Sequence, residues 1–235
     1  MFMDSRNEQE IRRLTSILTA SKLVHIYGAG LNPERPAHTA VAELKNRGWA
    51  VAPIHPRDGG ATIDGFPIRP ALDQGILPEV VVLFLAPERA RAVVRNLIMR
   101  IEKENFPLIW FQLGAEDDVS REALESMGVD YVEHDCIVRF TERHNLSCEQ
   151  SILPQKWCLQ IASENGDGCS EWSVHSSDTA SLPVPTQALE WVGSMNDLLH
   201  SEHTIPRYIR SLKSEQEGLH ELAVRLSGQV DSQGR

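Results

Sequence analysis

Apolar residues in the first two thirds of the chain fall into short runs separated by amphipathic segments. Leu23–Tyr27, Trp49–Ile54, Glu79–Leu85 and Pro107–Gln112 each read as a strand, being brief, rich in β-branched or aromatic residues, and bounded by turn residues. Glu79–Leu85, EVVVLFL, is almost wholly apolar, the pattern of a strand covered on both faces. Between these runs the apolar positions take helical spacing. Ala37–Arg47 predicts one helix, and Pro87 to about Asn105 a second, with Val93, Leu97 and Ile101 along its stripe. Asp118–Met127 predicts a third, ended by Gly128 and followed by a short strand at Val129–Glu133. Upstream, Ile11, Leu14, Ile17 and Leu18 predict an N-terminal helix that packs on the domain, and Asp64-Gly65 suits a tight reversal between two short extended pieces.

Alternation of strand and helix from Leu23 to about Phe140 implies an α/β fold. The expected form is Rossmann-like, a mainly parallel sheet with helices on both faces and right-handed crossovers. The pattern changes near Cys148. Residues 163–186 are rich in Ser, Gly, Asp and Pro without a sustained period, and predict a linker or loop. Ala188, Trp191, Val192, Met195, Leu198 and Leu199 then make one strong helical stripe, and Leu212, Leu219, Leu222, Ala223 and Leu226 a weaker one. The expected organisation is an N-terminal helix over 1–21, a Rossmann-like domain over 22–147, a linker or loop region over 148–186, and a C-terminal helical extension over 187–229. The stripes of that extension either cover the sheet or form the surface for a homodimer or a protein partner.

Charge narrows the function. The net charge of −10 comes from 23 basic and 33 acidic residues with no long basic run, which argues against nucleic acid as a partner. No stretch approaches the roughly 18 apolar residues of a membrane span, and the N-terminus is charged from Asp4, unlike a signal peptide. The four cysteines show no CxxC spacing and no metal-like clustering with histidine, so a reduced, cytoplasmic, soluble protein is expected. His200 and His203 flank Glu202 without a credible third ligand, and no metal site is assigned.

In doubly wound sheets ligands bind beyond the carboxyl ends of the strands. Those ends are Tyr27–Leu31, Ile54–Arg57, Phe84–Pro87 and Gln112–Gly114. The turn Gly28-Ala29-Gly30 before a helix suits a phosphate, because backbone N–H groups and the helix dipole favour an anion there. A conventional dinucleotide fingerprint is incomplete: its third glycine is Pro33, and the second strand ends Ile54-His55-Pro56 with no carboxylate before Asp58. An NAD(P)-dependent oxidoreductase is therefore the alternative reading. In place of the third glycine, Asn32-Pro33-Glu34-Arg35-Pro36 forms a stiff lip whose arginine can reach a phosphate.

Residues 23–140 resemble the CoA-binding domain family, small Rossmann-like proteins similar to the CoA-binding domain of succinyl-CoA ligase α subunits. The resemblance rests on Gly28-Ala29-Gly30-Leu31-Asn32-Pro33-Glu34-Arg35-Pro36-Ala37, on Ile54-His55-Pro56, and on the segment Asp64–Leu72. Phe84-Leu85-Ala86-Pro87-Glu88, Trp110-Phe111-Gln112-Leu113-Gly114 and, more loosely, His134-Asp135-Cys136-Ile137-Val138 continue it in order. It implies non-covalent binding of coenzyme A or an acyl-CoA. The implied site comprises Gly28, Ala29, Gly30, Asn32, Arg35 and Pro36 after the first strand, and His55, Pro56 and Arg57 after the second. Leu85, Ala86 and Pro87 follow the third, and Gln112 and Gly114 the fourth. The loops at 55–57 and 85–87 are expected to enclose the adenosine end. Leu85-Ala86 stands where the family has a basic pair, Gly30 replaces a small hydroxyl residue, and His55 replaces an asparagine. Those departures favour a weaker grip or a changed ligand, and admit a scaffold with a vestigial nucleotide site. No nucleophile elbow or carboxylate pair is present, no catalytic residue is assigned, and the reading leans away from an enzyme. Trp110 is read as core, and Cys136 as a small buried residue in preference to a partner for the CoA thiol.

Overall fold

The computed structural model describes residues 2–164 and 168–228. The chain divides into two compact units: the chain up to Ala52 together with Leu77–Leu153, and Pro53–Ile76 together with the chain from Pro154 onward.

The first unit is built on strands β1 (Leu23–Tyr27), β2 (Ala50–Ile54), β5 (Val80–Leu83), β6 (Leu108–Phe111) and β7 (Tyr131–Val132), in the order β2-β1-β5-β6-β7. β1 pairs with β5 in parallel from Val24↔Val80 to Tyr27↔Leu83, and β5–β6 and β6–β7 are parallel too. Strands β5 and β6 are buried along their whole length, which is why they carry no polar alternation. The helices are α1 (Phe2–Ala20), α2 (Pro36–Asn46), α3 (Pro87–Ile98), α4 (Asp118–Met127) and α5 (Ile137–Arg143). The path from β1 through α2 to β2 moves one way across the sheet, and the path β5-α3-β6-α4-β7 moves the other. With right-handed crossovers, α2 lies on one face and α3 and α4 on the opposite face. This is the Rossmann-like α/β fold.

Local chemistry sets the boundaries. Leu14 and Leu18 of α1 are buried, and the Trp49 indole donates to the Leu18 carbonyl at 3.0 Å. Helix α3 stops at Ile98, short of the expected Asn105, and a 3-10 turn at Lys103–Asn105 follows. Pro107 holds Phe106 extended (φ −72°, ψ 133°), so the chain is already turning into β6. Asp117 caps α4, and Gly128, in the left-handed region at φ 64°, ends it. Among the described residues no helix is long and apolar enough to cross a membrane.

The second unit starts where β2 ends. Its hairpin β3 (Thr62–Ile63) and β4 (Phe66–Pro67) turns at Asp64 and Gly65, both with positive φ, the geometry of a type I′ turn. A three-stranded antiparallel sheet, β10-β8-β9, is formed by β8 (Lys156–Ala162), β9 (Ser170–Ser176) and β10 (Leu189–Ser194). Helices α6 (Met195–His200), α7 (Thr204–Ser211) and α8 (Leu219–Leu226) follow.

These strands correct two expectations. The region 148–186, expected as a linker or loop, holds β8 and β9; residues 165–167 of it lie outside the described residues, as does residue 229 of the expected extension. The stripe beginning at Ala188 is a strand up to Ser194 and a helix only afterwards. The extension is therefore not wholly helical. The physical reason is that both faces of this small sheet are covered. Trp157, Leu159 and Val192 pack in one cluster, while Cys158 and Trp191 pack in another with Leu198, Ile209, Leu222 and Ala223. Neighbouring residues Trp191 and Val192 thus serve opposite faces, and with Ala188 they imitate helical spacing. The apolar stripes of α6 and α8 are engaged on this sheet.

A buried ion pair joins the two stretches of chain in this unit. Arg69 donates from Nε to Asp197 Oδ2 at 2.8 Å and from Nη2 at 2.5 Å, with both residues 3% exposed. Asp197 also accepts the Ser194 N–H at 2.8 Å, completing the capping box that turns β10 into α6. The Trp191 indole donates to Asp73 at 2.9 Å, and the Trp157 indole to the Gly65 carbonyl at 3.1 Å. Replacing Asp197 by alanine leaves the Arg69 charge buried without its partner. The expected loss is about 3–5 kcal/mol of stability, read as a lower urea midpoint for Asp197→Ala than for the parent chain.

Candidate functional site

β1 and β5 are neighbours in the sheet, yet the chain leaves them in opposite directions. Their carboxyl ends therefore bound a topological switch point, where an open α/β sheet presents a crevice. Gly28 follows β1 with φ 91°, and a Cβ built there would lie 2.3 Å from the Phe84 carbonyl oxygen. Phe84 N–H in turn donates to the Tyr27 carbonyl at 3.0 Å. Only glycine fits at this close crossing of two strand ends. Ala29 is fully buried. The Gly30 N–H donates to the Gly28 carbonyl at 3.1 Å, so this amide is engaged within the turn. The Gly30 carbonyl lies 2.8 Å from His38 Nδ1, which fastens the turn to α2.

Residues Asn32 to Pro36 are all exposed. Asn32 Oδ1 accepts the Glu34 N–H at 3.0 Å, and the Asn32 carbonyl accepts the Arg35 N–H at 3.2 Å, which shapes the lip from within. Arg35 is the N-cap of α2 in an extended conformation, and its guanidinium bonds to no described residue. Pro36 takes the first helical position. Across the switch point Ala86 is the N-cap of α3 and Pro87 its first residue, again without a side-chain cap. Two helix N-termini thus open on one crevice with their amides uncapped by side chains, a positive local field. Leu85 is half-buried and Ala86 exposed, and neither adds charge. Arg89, in the first turn of α3, is exposed and bonds to no described residue through its side chain. Helical side chains lean toward the N-terminus, so Arg89 supplies a cation near the place where the motif lacks one.

At the end of β6, Gln112 is 4% exposed, and its side-chain Nε2 has no partner among the described residues. Gly114 has φ 87° with open space where a Cβ would stand, and its N–H donates to Glu116 Oε2 at 2.7 Å. Glu116 Oε1 accepts the His134 N–H at 3.3 Å. Trp110 is fully buried, donates to the Asp135 carbonyl at 2.9 Å and meets Phe140 edge-on, as a core residue.

The structure therefore groups Gly28, Ala29, Gly30, Asn32, Arg35, Pro36, Leu85, Ala86, Pro87, Gln112 and Gly114 in the first unit, at or just beyond three adjacent strand ends. His55, Pro56 and Arg57 belong to the second unit. There the His55 N–H donates to the Arg69 carbonyl at 2.9 Å, and His55 Nδ1 faces Asp58 Oδ2 at 3.0 Å. Sequence reasoning missed His38, Arg89 and Glu116. The available signals were a histidine one turn into the helix, an arginine two residues after Pro87, and a glutamate two residues after Gly114.

Electrostatics around the crevice are local. Arg91 binds both carboxylate oxygens of Asp117, which also accepts the Ser120 N–H and hydroxyl at 2.8 Å each. The hydrogen bond from Arg91 is the largest influence lowering the Asp117 carboxyl to about 2. Burial pushes the Tyr27 phenol up to about 12. Burial also pushes the Cys158 thiol well up, whereas Cys136 is half-buried at the N-cap of α5. Among the described residues no three His, Cys, Asp or Glu side chains are grouped to hold a metal.

The fold and this strand-end crevice define a Rossmann-like α/β domain. The chain belongs to the CoA binding domain family, whose model matches residues 22–141. Among solved structures it is similar to Prb, the PH1109 protein redesigned for binding, at 28% identity over 57% of this chain and 90% of that one, with a TM-score of 0.50. It is likewise similar to the protein ID.343 from Thermus thermophilus, at 25% identity over 57% of this chain and 97% of that one, with a TM-score of 0.50. A comparison with curated proteins found no match.

Two outcomes test this geometry. Gly28→Ala forces a side chain against the Phe84 carbonyl in a left-handed conformation, with an expected cost of about 3 kcal/mol or more in chemical denaturation. For Asp117, the folded carboxyl titrates near 2, below the value of about 3.9 in an unfolded chain. Its contribution is complete above about pH 4 and fades as pH falls through 2. Asp117→Asn is thus less stable than the parent at pH 7, and the two urea midpoints converge near pH 2.

Proposed function

We propose that this chain binds coenzyme A or an acyl-CoA non-covalently in the crevice between the carboxyl ends of β1 and β5, as a recognition module without covalent chemistry of its own. The observation that carries the reading is the switch point itself. Two helix N-termini without side-chain caps and the unengaged Arg35 face the place where a diphosphate belongs, in a chain of the CoA binding domain family. Arg35 offers a planar fork to a phosphate, and Arg89 adds a second cation on α3. With Leu85-Ala86 in place of a basic pair, the expected affinity is micromolar and does not approach the tightest nucleotide sites.

The nicotinamide alternative is disfavoured by the end of β2. A dinucleotide site needs a carboxylate free for a ribose hydroxyl, and the first one available, Asp58, already faces His55. Cys136, Cys148 and Cys158 form no disulfide among the described residues, which suits a reducing, cytoplasmic compartment.

Isothermal titration with CoA, with NAD⁺ in parallel, tests the reading: heat from CoA alone supports it, and silence from CoA overturns it. Arg35→Ala is expected to weaken CoA binding about tenfold through loss of a charge-assisted hydrogen bond. An unchanged affinity in that variant removes Arg35 from the site.

A further inference from the structure

The end of β6 differs in chemistry from the ends of β1 and β5. Three observations meet there. Gly114 leaves open space above its backbone, Gln112 holds a buried amide nitrogen with no partner among the described residues, and the Gly114 N–H is occupied by the carboxylate of Glu116 at 2.7 Å. An amide beside a glycine with positive φ is the kind of donor that takes a ligand anion. Here the protein fills it with an anion of its own.

The surrounding charges do not cancel Glu116. Arg121 lies 2.7 Å from Asp118 and 3.9 Å from Glu133, so its charge is shared between two other carboxylates. His134 Nδ1 is 3.5 Å from Glu116 Oε1, on a side chain 77% exposed to solvent that screens it. The end of β6 therefore carries more carboxylates than arginines, and one neutral donor, the Gln112 amide, has no partner among the described residues.

The orientation of a bound ligand follows from strand order. In a Rossmann-type site the diphosphate lies over the first glycine turn and the ribose is read on the side of the second strand. With the order β2-β1-β5-β6, the arm beyond the diphosphate runs across β5 toward β6. For CoA that arm is the pantetheine and its acyl group, so the loop at 85–87, expected at the adenosine end, lies beside the arm instead.

We infer that Glu116 selects against acyl groups that end in a carboxylate, so that the ligand is CoA itself or the thioester of an uncharged acid. The inference rests on the CoA reading of the crevice. Gln112 Nε2 can donate to an amide or thioester carbonyl on the arm, whereas a terminal carboxylate would meet Glu116 with the adjacent amide already taken. Like charges brought together in a partly desolvated cleft weaken binding by about tenfold or more.

The test is titration at pH 8 and low salt with CoA, acetyl-CoA and succinyl-CoA, for the parent chain and for Glu116→Gln. The glutamine keeps an acceptor for the Gly114 N–H and removes the charge. In the parent chain acetyl-CoA is expected to bind about tenfold more tightly than succinyl-CoA. In Glu116→Gln that ratio is expected to fall to about threefold or less. A merely structural role for Glu116 would shift both thioesters together and leave the ratio intact, which overturns the inference. Equal binding of the two thioesters by the parent chain also overturns it, and needs no variant that folds. If CoA binds while selectivity is absent, only this inference falls. If none of the three binds, the CoA reading itself falls with it.

Discussion

The crossing of Gly28 over the Phe84 carbonyl is the constraint on which the site depends. A Cβ at Gly28 would stand 2.3 Å from that oxygen, so the two central strands can end side by side only because this residue has no side chain. From that point the chain diverges, through α2 on one side and α3 on the other. The crevice, its two uncapped helix N-termini and the lip carrying Arg35 are consequences of that divergence. The glycine first expected to admit a phosphate is thus also what lets the sheet close at its switch point. His38 and the Gly30 carbonyl then fix the turn from the helix side, so the backbone after β1 is held in one conformation.

A second constraint shapes the rest of the chain. The excursion after β2 does not rejoin the parallel sheet directly; residues 53–76 share a core with the C-terminal segment. The buried Arg69–Asp197 pair, within reach of the β10–α6 capping box, explains why. A buried charge pair is weak evidence of net stability, but losing one partner is costly, which ties the two stretches to each other specifically. The family match over 22–141 therefore runs through residues of both compact units. Contiguity in sequence and compactness in space part company here.

How much was legible follows from which signals are local. The parallel strands were readable because burial on both faces leaves uninterrupted apolar runs, and the α4 boundaries because Asp117 and Gly128 act within their own turn. The turn at Gly28 and the lip at Asn32–Pro36 were readable for the same reason. β9 was not: Trp172 and Val174 do alternate with the polar Glu171, Ser173 and His175, but the run is short and lies amid Ser, Gly and Asp residues that read as loop. β10 was misread because its neighbours Trp191 and Val192 pack in different clusters. His55, read as a strand-end ligand contact, has its ring facing Asp58, three residues on. Glu116 gave no pattern at all, since its role depends on where the loop after β6 places it against Gly114.

The crevice that results is polarised along the sheet. Toward β1 and β5 it presents helix N-termini and two arginines whose side chains bond to no described residue; toward β6 it presents Glu116 on the Gly114 amide. Arg91, the next cation along α3, is withdrawn from this field because it binds the capping carboxylate of α4. That pairing matters to the site as well as to stability. It leaves Arg35, Arg89 and the helix N-termini as the positive groups at the switch point, while near β6 Arg121 is shared between Asp118 and Glu133. A ligand anionic at its centre and uncharged at one end matches that gradient; a ligand anionic at both ends does not.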